Sequence, residues 1–127
     1  MEPRRAQAAE LGRAAEAVAA GFLRSQGVEV LLRNFRRRLG EIDLVARDRN
    51  EIVIVEVRTR SSQKFGGAAG SIDARKRARL VRAAHLLLMR HPEFARARVR
   101  FDVIVVLDSL GELPRVQWIK HAFVVDP

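Results

Sequence analysis

The sequence contains no cysteine and only three histidines in 127 residues. The absence of cysteine excludes disulfide bonds and thiolate metal sites. His85, His91 and His121 do not have the spacing of a zinc site. A bound metal would therefore be held by carboxylates, which favour hard ions such as Mg²⁺ or Mn²⁺.

Long apolar runs are also missing. No stretch approaches the roughly 20 apolar residues that a membrane-spanning helix needs. The N-terminal segment is alanine-rich and amphipathic, with Glu10 and Glu16 where a secretory signal would be apolar. We therefore expect a cytoplasmic protein with no membrane partner. Its length, with 48% hydrophobic and 31% charged residues, predicts one folded domain over residues 1–127.

Lysine is scarce, since only three of the 24 basic residues are lysines and arginine supplies the rest. Genomic base composition would explain arginine in place of lysine, but it would not explain a net charge of +9. Such a surplus attracts polyanions, and phosphate backbones are the commonest of them. We expect a nucleic-acid partner, with DNA favoured.

Apolar spacing predicts helices over residues 5–26, ending at Gly27, and from an N-cap at Ser71 to about residue 91. Their buried stripes are expected at Leu11, Ala15, Val18 and Phe22, and at Leu80, Ala84, Leu87 and Leu88. Strands are predicted over residues 28–35, 40–47, 51–58, 99–107 and 115–119. The order α-β-β-β-α-β-β indicates an α/β domain, α+β-like, with a mixed five-stranded sheet flanked by helices.

The strand over residues 40–47 alternates in polarity. We expect one face to carry Ile42, Leu44 and Ala46, and the other to carry Glu41, Asp43 and Val45. The preceding run Arg36-Arg37-Arg38 is expected to form a basic turn.

Asp43 and Glu56 interrupt two otherwise apolar strands, where an unpaired carboxylate is costly. A two-residue hairpin loop at Arg49-Asn50 pairs them directly, with Cβ atoms roughly 5 Å apart. A four-residue loop preserves that pairing, whereas a three-residue loop without a bulge places them on opposite faces. Opposed like charges need a positive group between them. The pattern predicts a bridging divalent cation or an ion-pair network with Arg58 and Lys76.

Three further residues are candidates for the same site. Arg58 follows Glu56 by two residues and so shares its face of the strand. Lys76 extends the apolar stripe of the second helix, so its ammonium should point toward the sheet. Glu16 lacks a basic partner at i+3 or i+4, and it is either a site residue or an ordinary exposed helix glutamate.

The segments Gly40-Glu41-Ile42-Asp43 and Val55-Glu56-Val57-Arg58-Thr59-Arg60 resemble the core of the PD-(D/E)xK nuclease superfamily. Over most of its length the chain more closely resembles the YraN-type endonuclease-like family, which is similar to archaeal Holliday junction resolvases. The other matching residues are Gly12, Glu16, Arg33-Asn34, Lys76, Arg100-Phe101-Asp102-Val103 and Ala122-Phe123. Together these segments are specific, whereas an isolated D…ExK pattern would be weak.

The resemblance implies a restriction-endonuclease-like fold and metal-dependent hydrolysis of phosphodiester bonds in DNA, including branched DNA in recombination or repair. It implies that Asp43, Glu56 and the backbone carbonyl of Val57 bind Mg²⁺ or Mn²⁺, with Glu16 as the added helix glutamate of resolvase-like members. The metal would acidify a water molecule and stabilise charge on the scissile phosphate. It also implies a homodimer, although no dimer patch is legible in the sequence.

The third signature residue departs from the superfamily pattern, because the usual lysine is Arg58 here. Arginine stays protonated and cannot act as a general base, but it can hold a phosphate oxygen. Three alternatives remain open: Arg58 suffices for catalysis, Lys76 takes the place of the lysine, or the chain binds nucleic acid without cutting it. A basic domain that binds RNA or a protein partner is a further alternative.

Candidate phosphate contacts lie in the basic turn and in the glycine-rich loop that follows the Glu56 strand. They are Arg36, Arg37, Arg38, Arg60, Ser61 and Lys64. Two other acids are expected outside the metal site. Glu41 begins its strand, which favours a surface or supporting position, and Asp102 is expected to pair with a nearby arginine.

Overall fold

Two helices and five strands form the described part of the chain. The computed structural model describes residues 3–38, 40–60, 72–108 and 110–124, with side chains from residue 7 onward. In order, the elements are α1 (Pro3–Ser25), β1 (Glu29–Arg37), β2 (Gly40–Asp48), β3 (Glu51–Arg60), α2 (Ala74–Arg90), a short 3-10 helix (Pro92–Phe94), β4 (Arg98–Leu107) and β5 (Arg115–Phe123). The predicted single domain of order α-β-β-β-α-β-β with a mixed five-stranded sheet is confirmed.

The sheet is mixed because one connection crosses over it. Its strand order is β1-β2-β3-β4-β5, and all neighbours are antiparallel except β3 and β4. Parallel neighbours need a long crossover, which α2 supplies. Residues 52–56 of β3 are all buried, as expected for a central strand covered on both faces.

Each helix covers one face of the sheet. Ile52 and Ile54 of β3 belong to an apolar cluster with Leu80 and other residues of α2. Val53, Val55 and their neighbours pack instead against α1. Burial on both faces, worth about 25 cal/mol per Å² of apolar surface, holds the three layers together. Within the described ranges, neither helix is long and apolar enough to cross a membrane.

α1 contacts the sheet through a stripe that is offset from the predicted one. Ala15 is buried as expected, but Leu11 is 37% exposed, and Val18 and Phe22 are only partly buried. The other buried residues of this face are Ala19, Ala20 and Leu23. Alanines let the helix backbone approach the sheet closely, and Leu11, Val18 and Phe22 lie at the margins of the contact.

The end of α1 agrees with the prediction, whereas the N-cap of α2 does not. Gly27 terminates α1 as predicted, with a φ of 81° that favours glycine. The N-cap of α2 is Asp73 and not the predicted Ser71, which lies outside the described residues. The Asp73 carboxylate accepts the Lys76 backbone N–H at 2.8 Å. This hydrogen bond satisfies an N–H group of the first turn that has no partner within the helix.

α2 packs directly on the first residue of β2. A Cβ atom at Gly40 would lie 2.5 Å from the backbone oxygen of Arg79 and 3.3 Å from the Cβ of Ala83. Ala83 is fully buried on the stripe of α2. Leu88 was predicted to belong to this stripe but is only partly buried. Small residues on both elements thus set the distance between helix and sheet.

The hairpin between β2 and β3 has the predicted register. Its pairs are Leu44 with Val55, Val45 with Ile54, Ala46 with Val53, Arg47 with Ile52 and Asp48 with Glu51. Arg49-Asn50 is therefore the two-residue loop, and Arg49 has the positive φ of 57° that such tight loops require. The described pairing ends one position before Asp43 and Glu56, which stand next in the same register.

The predicted alternation of β2 is wrong on one side of Asp43. Leu44 packs in the cluster under α1 and Val45 in the cluster under α2, as a period of two requires. Ile42 also packs in the cluster under α2, so it does not share the face of Leu44. In the neighbouring strand, Asn34 has a φ of 57°. Both strands are therefore irregular where Asp43 lies.

The predicted basic turn is wrong for two of its three residues. Arg36 and Arg37 belong to β1, because they pair with Glu41 and Gly40 of β2. Arg38 alone is in a turn. The hairpin ladder thus continues through these two charged residues, of which Arg36 is exposed and Arg37 is partly buried.

A buried arginine ties the far end of the hairpin to β4 and β5. Arg100 is 6% exposed and donates to Glu51 at 2.8 Å, to Asp48 at 2.8 Å and to both oxygens of Asp102 at 3.2 Å. Asp102 also accepts the indole N–H of Trp118 at 2.9 Å. The prediction that Asp102 pairs with an arginine is confirmed.

Replacing Arg100 should destabilise the fold, because three carboxylates would lose their shared cation. We expect Arg100→Gln to lower the free energy of unfolding by about 3–5 kcal/mol. The exposed Arg98 on the same strand provides the control, and Arg98→Gln should change it by less than about 0.5 kcal/mol. Urea unfolding followed by circular dichroism measures both; equal losses would contradict the role of the network.

Adding a methyl group at Gly40 should push α2 off the sheet. We expect Gly40→Ala to cost about 1–3 kcal/mol of unfolding free energy, as overpacking does. Gly21 in α1 has no atom within 4 Å of an added Cβ, so Gly21→Ala should stabilise by about 1 kcal/mol through helix propensity. Thermal melting of both variants tests the opposite signs.

Candidate active site

Asp43 and Glu56 lie side by side where the pairing of β2 and β3 ends. The Asp43 carboxylate accepts the backbone N–H of Val57 at 2.8 Å. The carboxyl groups of Asp43 and Glu56 are close enough to shift each other's pKa. Glu56 is only 8% exposed. The hairpin therefore brings the two acids together as its register predicts.

Lys76 reaches this pair from the first turns of α2. Its Nζ lies 3.3 Å from Oε2 of Glu56, and its side chain is partly buried. The ammonium points toward the sheet as the helical stripe predicts. One ammonium beside two carboxylates leaves a negative charge to be neutralised by a proton or by another cation.

Burial raises the pKa of Glu56 to about 7, and the adjacent charge of Asp43 raises it as well, against the effect of Lys76. Burial also raises the pKa of Asp43, although the hydrogen bond from Val57 lowers it. Both shifts favour the retention of a proton by this pair of neighbouring carboxyl groups. A metal ion that binds the pair would displace this proton, so metal binding would strengthen as the pH rises.

Glu16 approaches the same site from α1. Burial raises its pKa, the charge of Asp43 raises it further, and a hydrogen bond from the Asn34 side chain lowers it. Asn34 holds the left-handed conformation that asparagine tolerates better than most residues. Its participation was not predicted, although the segment Arg33-Asn34 carried part of the family resemblance.

The donor set suits a hard divalent ion with few protein ligands. In the ranges that the structure describes, no group of three or more His, Cys, Asp or Glu side chains is arranged to hold a metal. Glu16 thus contributes charge without completing a three-carboxylate cluster. Asp43 and Glu56 alone still fit Mg²⁺, which is commonly bound through one or two carboxylates, with water and substrate phosphate as the other ligands.

Arg58 takes a more peripheral position than its spacing predicted. It is partly buried and makes no ion pair with any residue of the described ranges. The Lys76 N–H lowers the pKa of Asp73, and the charge of Arg58 adds to that effect, which locates Arg58 toward the start of α2. Of the two cations predicted to neutralise the acids, Lys76 makes the ion pair.

A cleft of about 540 Å³ opens beside Lys76 and is lined mainly by arginines. We call it the basic cleft; its lining residues are Arg37, Arg38, Gly40, Glu41, Arg75, Lys76, Arg79 and Arg82. Arg37 and Arg38 were predicted to contact nucleic acid. The three arginines of α2 were not, although their spacing of i, i+4 and i+7 places them on one helix face.

The other predicted nucleic-acid contacts are dispersed. Arg36 is exposed and lies 3.8 Å from Glu41. Arg60 lines a separate cavity with Leu11 and Leu110, away from the basic cleft. Ser61 and Lys64 lie outside the described residues. The structure therefore joins the predicted contacts Arg37 and Arg38 to α2, and not to the loop after β3.

These features define a single-domain α+β protein with a partly buried carboxylate pair on two adjacent strands and a basic cleft beside it. Residues 15–106 match the model of the Uncharacterised protein family UPF0102, and the chain belongs to that family. The family-level resemblance to YraN-type proteins is thereby confirmed.

Similar proteins span nearly the same length. A UPF0102 protein of Pseudomonas aeruginosa (strain LESB58) is 47% identical over 113 residues, covering 88% of this chain and 90% of its own. One from Pseudomonas paraeruginosa is 45% identical over 120 residues, covering 94% and 96%. One from Xanthomonas euvesicatoria pv. vesicatoria is 46% identical over 115 residues, covering 91% and 92%.

The raised pKa of Glu56 predicts a loss of stability as the pH rises. Below the ordinary value of 4.5, Glu56 is protonated in both states. Between 4.5 and about 7 the unfolded chain releases the proton first, so unfolding becomes easier, and above that range the loss is constant. In EDTA, the free energy of unfolding of wild type should fall by up to about 3 kcal/mol relative to that of Glu56→Gln across this pH range.

Urea unfolding of both proteins at several pH values measures this difference, since most other titrations cancel in it. A difference that does not vary with pH would show that Glu56 titrates normally.

Proposed function

We propose that this protein is a nuclease of the PD-(D/E)xK superfamily that hydrolyses phosphodiester bonds in DNA, with Mg²⁺ or Mn²⁺ as cofactor, in the cytoplasm. The observation that carries the proposal is the adjacent pair of Asp43 and Glu56, with Glu56 held against Lys76 at 3.3 Å. Branched DNA in recombination or repair is the proposed substrate, by resemblance to resolvases.

The residues of the pair would hold the metal through their carboxylate oxygens, and the Val57 carbonyl is proposed as a further ligand. A bound divalent ion would supply Lewis-acid polarisation of the scissile phosphate and would acidify the attacking water. The short bond from the Val57 N–H keeps Asp43 in place while the proton of the pair is lost. Glu16 adds negative charge nearby and is proposed to orient water.

Lys76 is the better candidate for the role of the superfamily lysine. Its ammonium already contacts Glu56, so it can reach an oxygen of a phosphate placed at the pair. Arg58 makes no ion pair among the described residues and remains available to bind a second phosphate oxygen. This division of roles would replace one lysine on β3 by two cations from different elements.

A second candidate is a non-catalytic nucleic-acid-binding module with the same fold. Two observations favour it: the described residues hold no three-ligand metal cluster, and Arg58 occupies the lysine position. In that case Lys76 would serve only to neutralise Glu56. Binding would be salt-dependent and would need no divalent ion.

The proposals differ in an assay of purified protein with labelled linear, flapped and four-way DNA in Mn²⁺. We expect wild type to cleave at least one substrate, and Asp43→Asn or Glu56→Gln to reduce the rate by on the order of 100-fold or more. Asparagine can still accept the Val57 N–H, so the backbone should stay in place. Lys76→Met tests the proposed lysine role in the same assay.

Glu29→Gln is the matched control, because Glu29 is an exposed acid on β1 that does not line the basic cleft. It should retain both cleavage and the heat of Mn²⁺ binding in calorimetry, while Glu56→Gln should lose both. Unchanged cleavage in Asp43→Asn would refute the metal assignment. DNA binding without cleavage by wild type, in any divalent ion, would favour the non-catalytic module.

A further inference from the structure

We propose that the basic cleft is the track that holds the phosphate backbone of a nucleic-acid strand next to the carboxylate pair. The inference builds on the proposed function, since it names the surface through which that substrate is held. It concerns Arg75, Arg79 and Arg82 of α2, which the nuclease resemblance does not include. It predicts binding that needs neither metal nor catalysis.

The charge of the cleft is strongly one-sided. Five arginines and Lys76 line it, against the single acid Glu41. Arg38, Arg75, Arg79 and Arg82 are exposed, in contrast to Arg100, whose guanidinium is enclosed by carboxylates. Concave surfaces of one sign concentrate the field and attract a polyanion. Guanidinium groups in addition bind phosphate oxygens in a bidentate manner.

The spacing on α2 suits a row of phosphates. Arg75, Arg79 and Arg82 follow one face of the helix, with steps of about 6 Å and about 4.5 Å along its axis. Phosphates of one strand of B-DNA recur every 3.4 Å along the duplex axis. Successive arginines therefore stand about one to two phosphates apart, within the reach of their long side chains.

One wall of the cleft is already ordered. The Arg37 guanidinium lies 4.3 Å from the centre of the Phe35 ring, and its Nη1 donates to the Arg36 carbonyl at 2.6 Å. Its Nε is buried and has no hydrogen-bond partner among the described residues. A guanidinium held in this way loses little conformational entropy when it binds a phosphate.

Lys76 connects the cleft to the candidate active site. It lines the basic cleft and also contacts Glu56 at 3.3 Å. The close approach of α2 to Gly40 brings the arginine face of the helix next to the start of β2, three residues before Asp43. A strand bound along α2 would therefore place one of its phosphates at the carboxylate pair.

The test measures binding in EDTA, where a metal-dependent enzyme cannot cut its substrate. Fluorescence anisotropy would be recorded with labelled single-stranded DNA, duplex DNA and single-stranded RNA, each long enough to cover a site of about 4–16 nucleotides. Arg75→Glu/Arg79→Glu should weaken the tightest of these complexes by about tenfold or more. The slope of log affinity against log salt should fall by about two.

Arg77→Glu/Arg96→Glu is the matched control. It makes the same change of net charge at two exposed arginines that do not line the basic cleft, and one of them is on α2 itself. It should bind within roughly threefold of wild type, because neither arginine lines the basic cleft and so neither directly contacts a strand held there. Arg75→Gln/Arg79→Gln and circular dichroism guard against a folding defect in the charge-reversed variant.

Equal weakening by both charge-reversed variants would overturn the inference, since it would reflect net charge and not the cleft. Absence of binding by wild type would overturn it too. Loss of binding in the cleft variant with no cleavage by wild type would uphold the inference while the proposed nuclease function fails. Metal-dependent cleavage by wild type, with unchanged binding by the cleft variant, would uphold the proposed nuclease function while the inference about the basic cleft fails.

Discussion

The Val57 N–H donates to the carboxylate of Asp43 across the β2–β3 hairpin. This bond gives a partly buried acid a fixed backbone partner at the position where the described strand pairing ends. Because the register of the hairpin is fixed, Glu56 lies beside Asp43. Three features surround that fixed carboxylate. They are the ammonium of Lys76, the irregular backbone at Asn34, and Glu16, whose pKa is raised.

The fold treats its buried acids in two different ways. Asp102 receives bonds from Arg100, from the indole of Trp118 and from the His121 backbone, so its lone pairs are used within the protein. Among the described residues, Asp43 and Glu56 receive one backbone bond and one ammonium between them. Incomplete neutralisation of buried charge is costly, and it is a property typical of sites that act on an external partner.

Sequence reasoning was most successful where two constraints coincided. The hairpin register followed from a short polar loop between two apolar strands, and it placed Asp43 and Glu56 together without any knowledge of tertiary structure. The face of Ile42 could not be predicted, because the break in alternation depends on the neighbouring strand. The arginines of α2 were overlooked because exposed charge on a helix is usually solvated; only the packing of the helix against Gly40 turns their face toward the site.

Both edges of the sheet contain an interruption. Asn34 on β1 and His121 on β5 each have a left-handed backbone, with φ of 57° and 52°. Exposed side chains of Arg33, Arg36 and Lys120 accompany them. Kinked and charged edges resist the addition of a strand from another chain. Self-association through a continuous sheet is therefore disfavoured, so two copies acting on one substrate would have to meet through helices or loops.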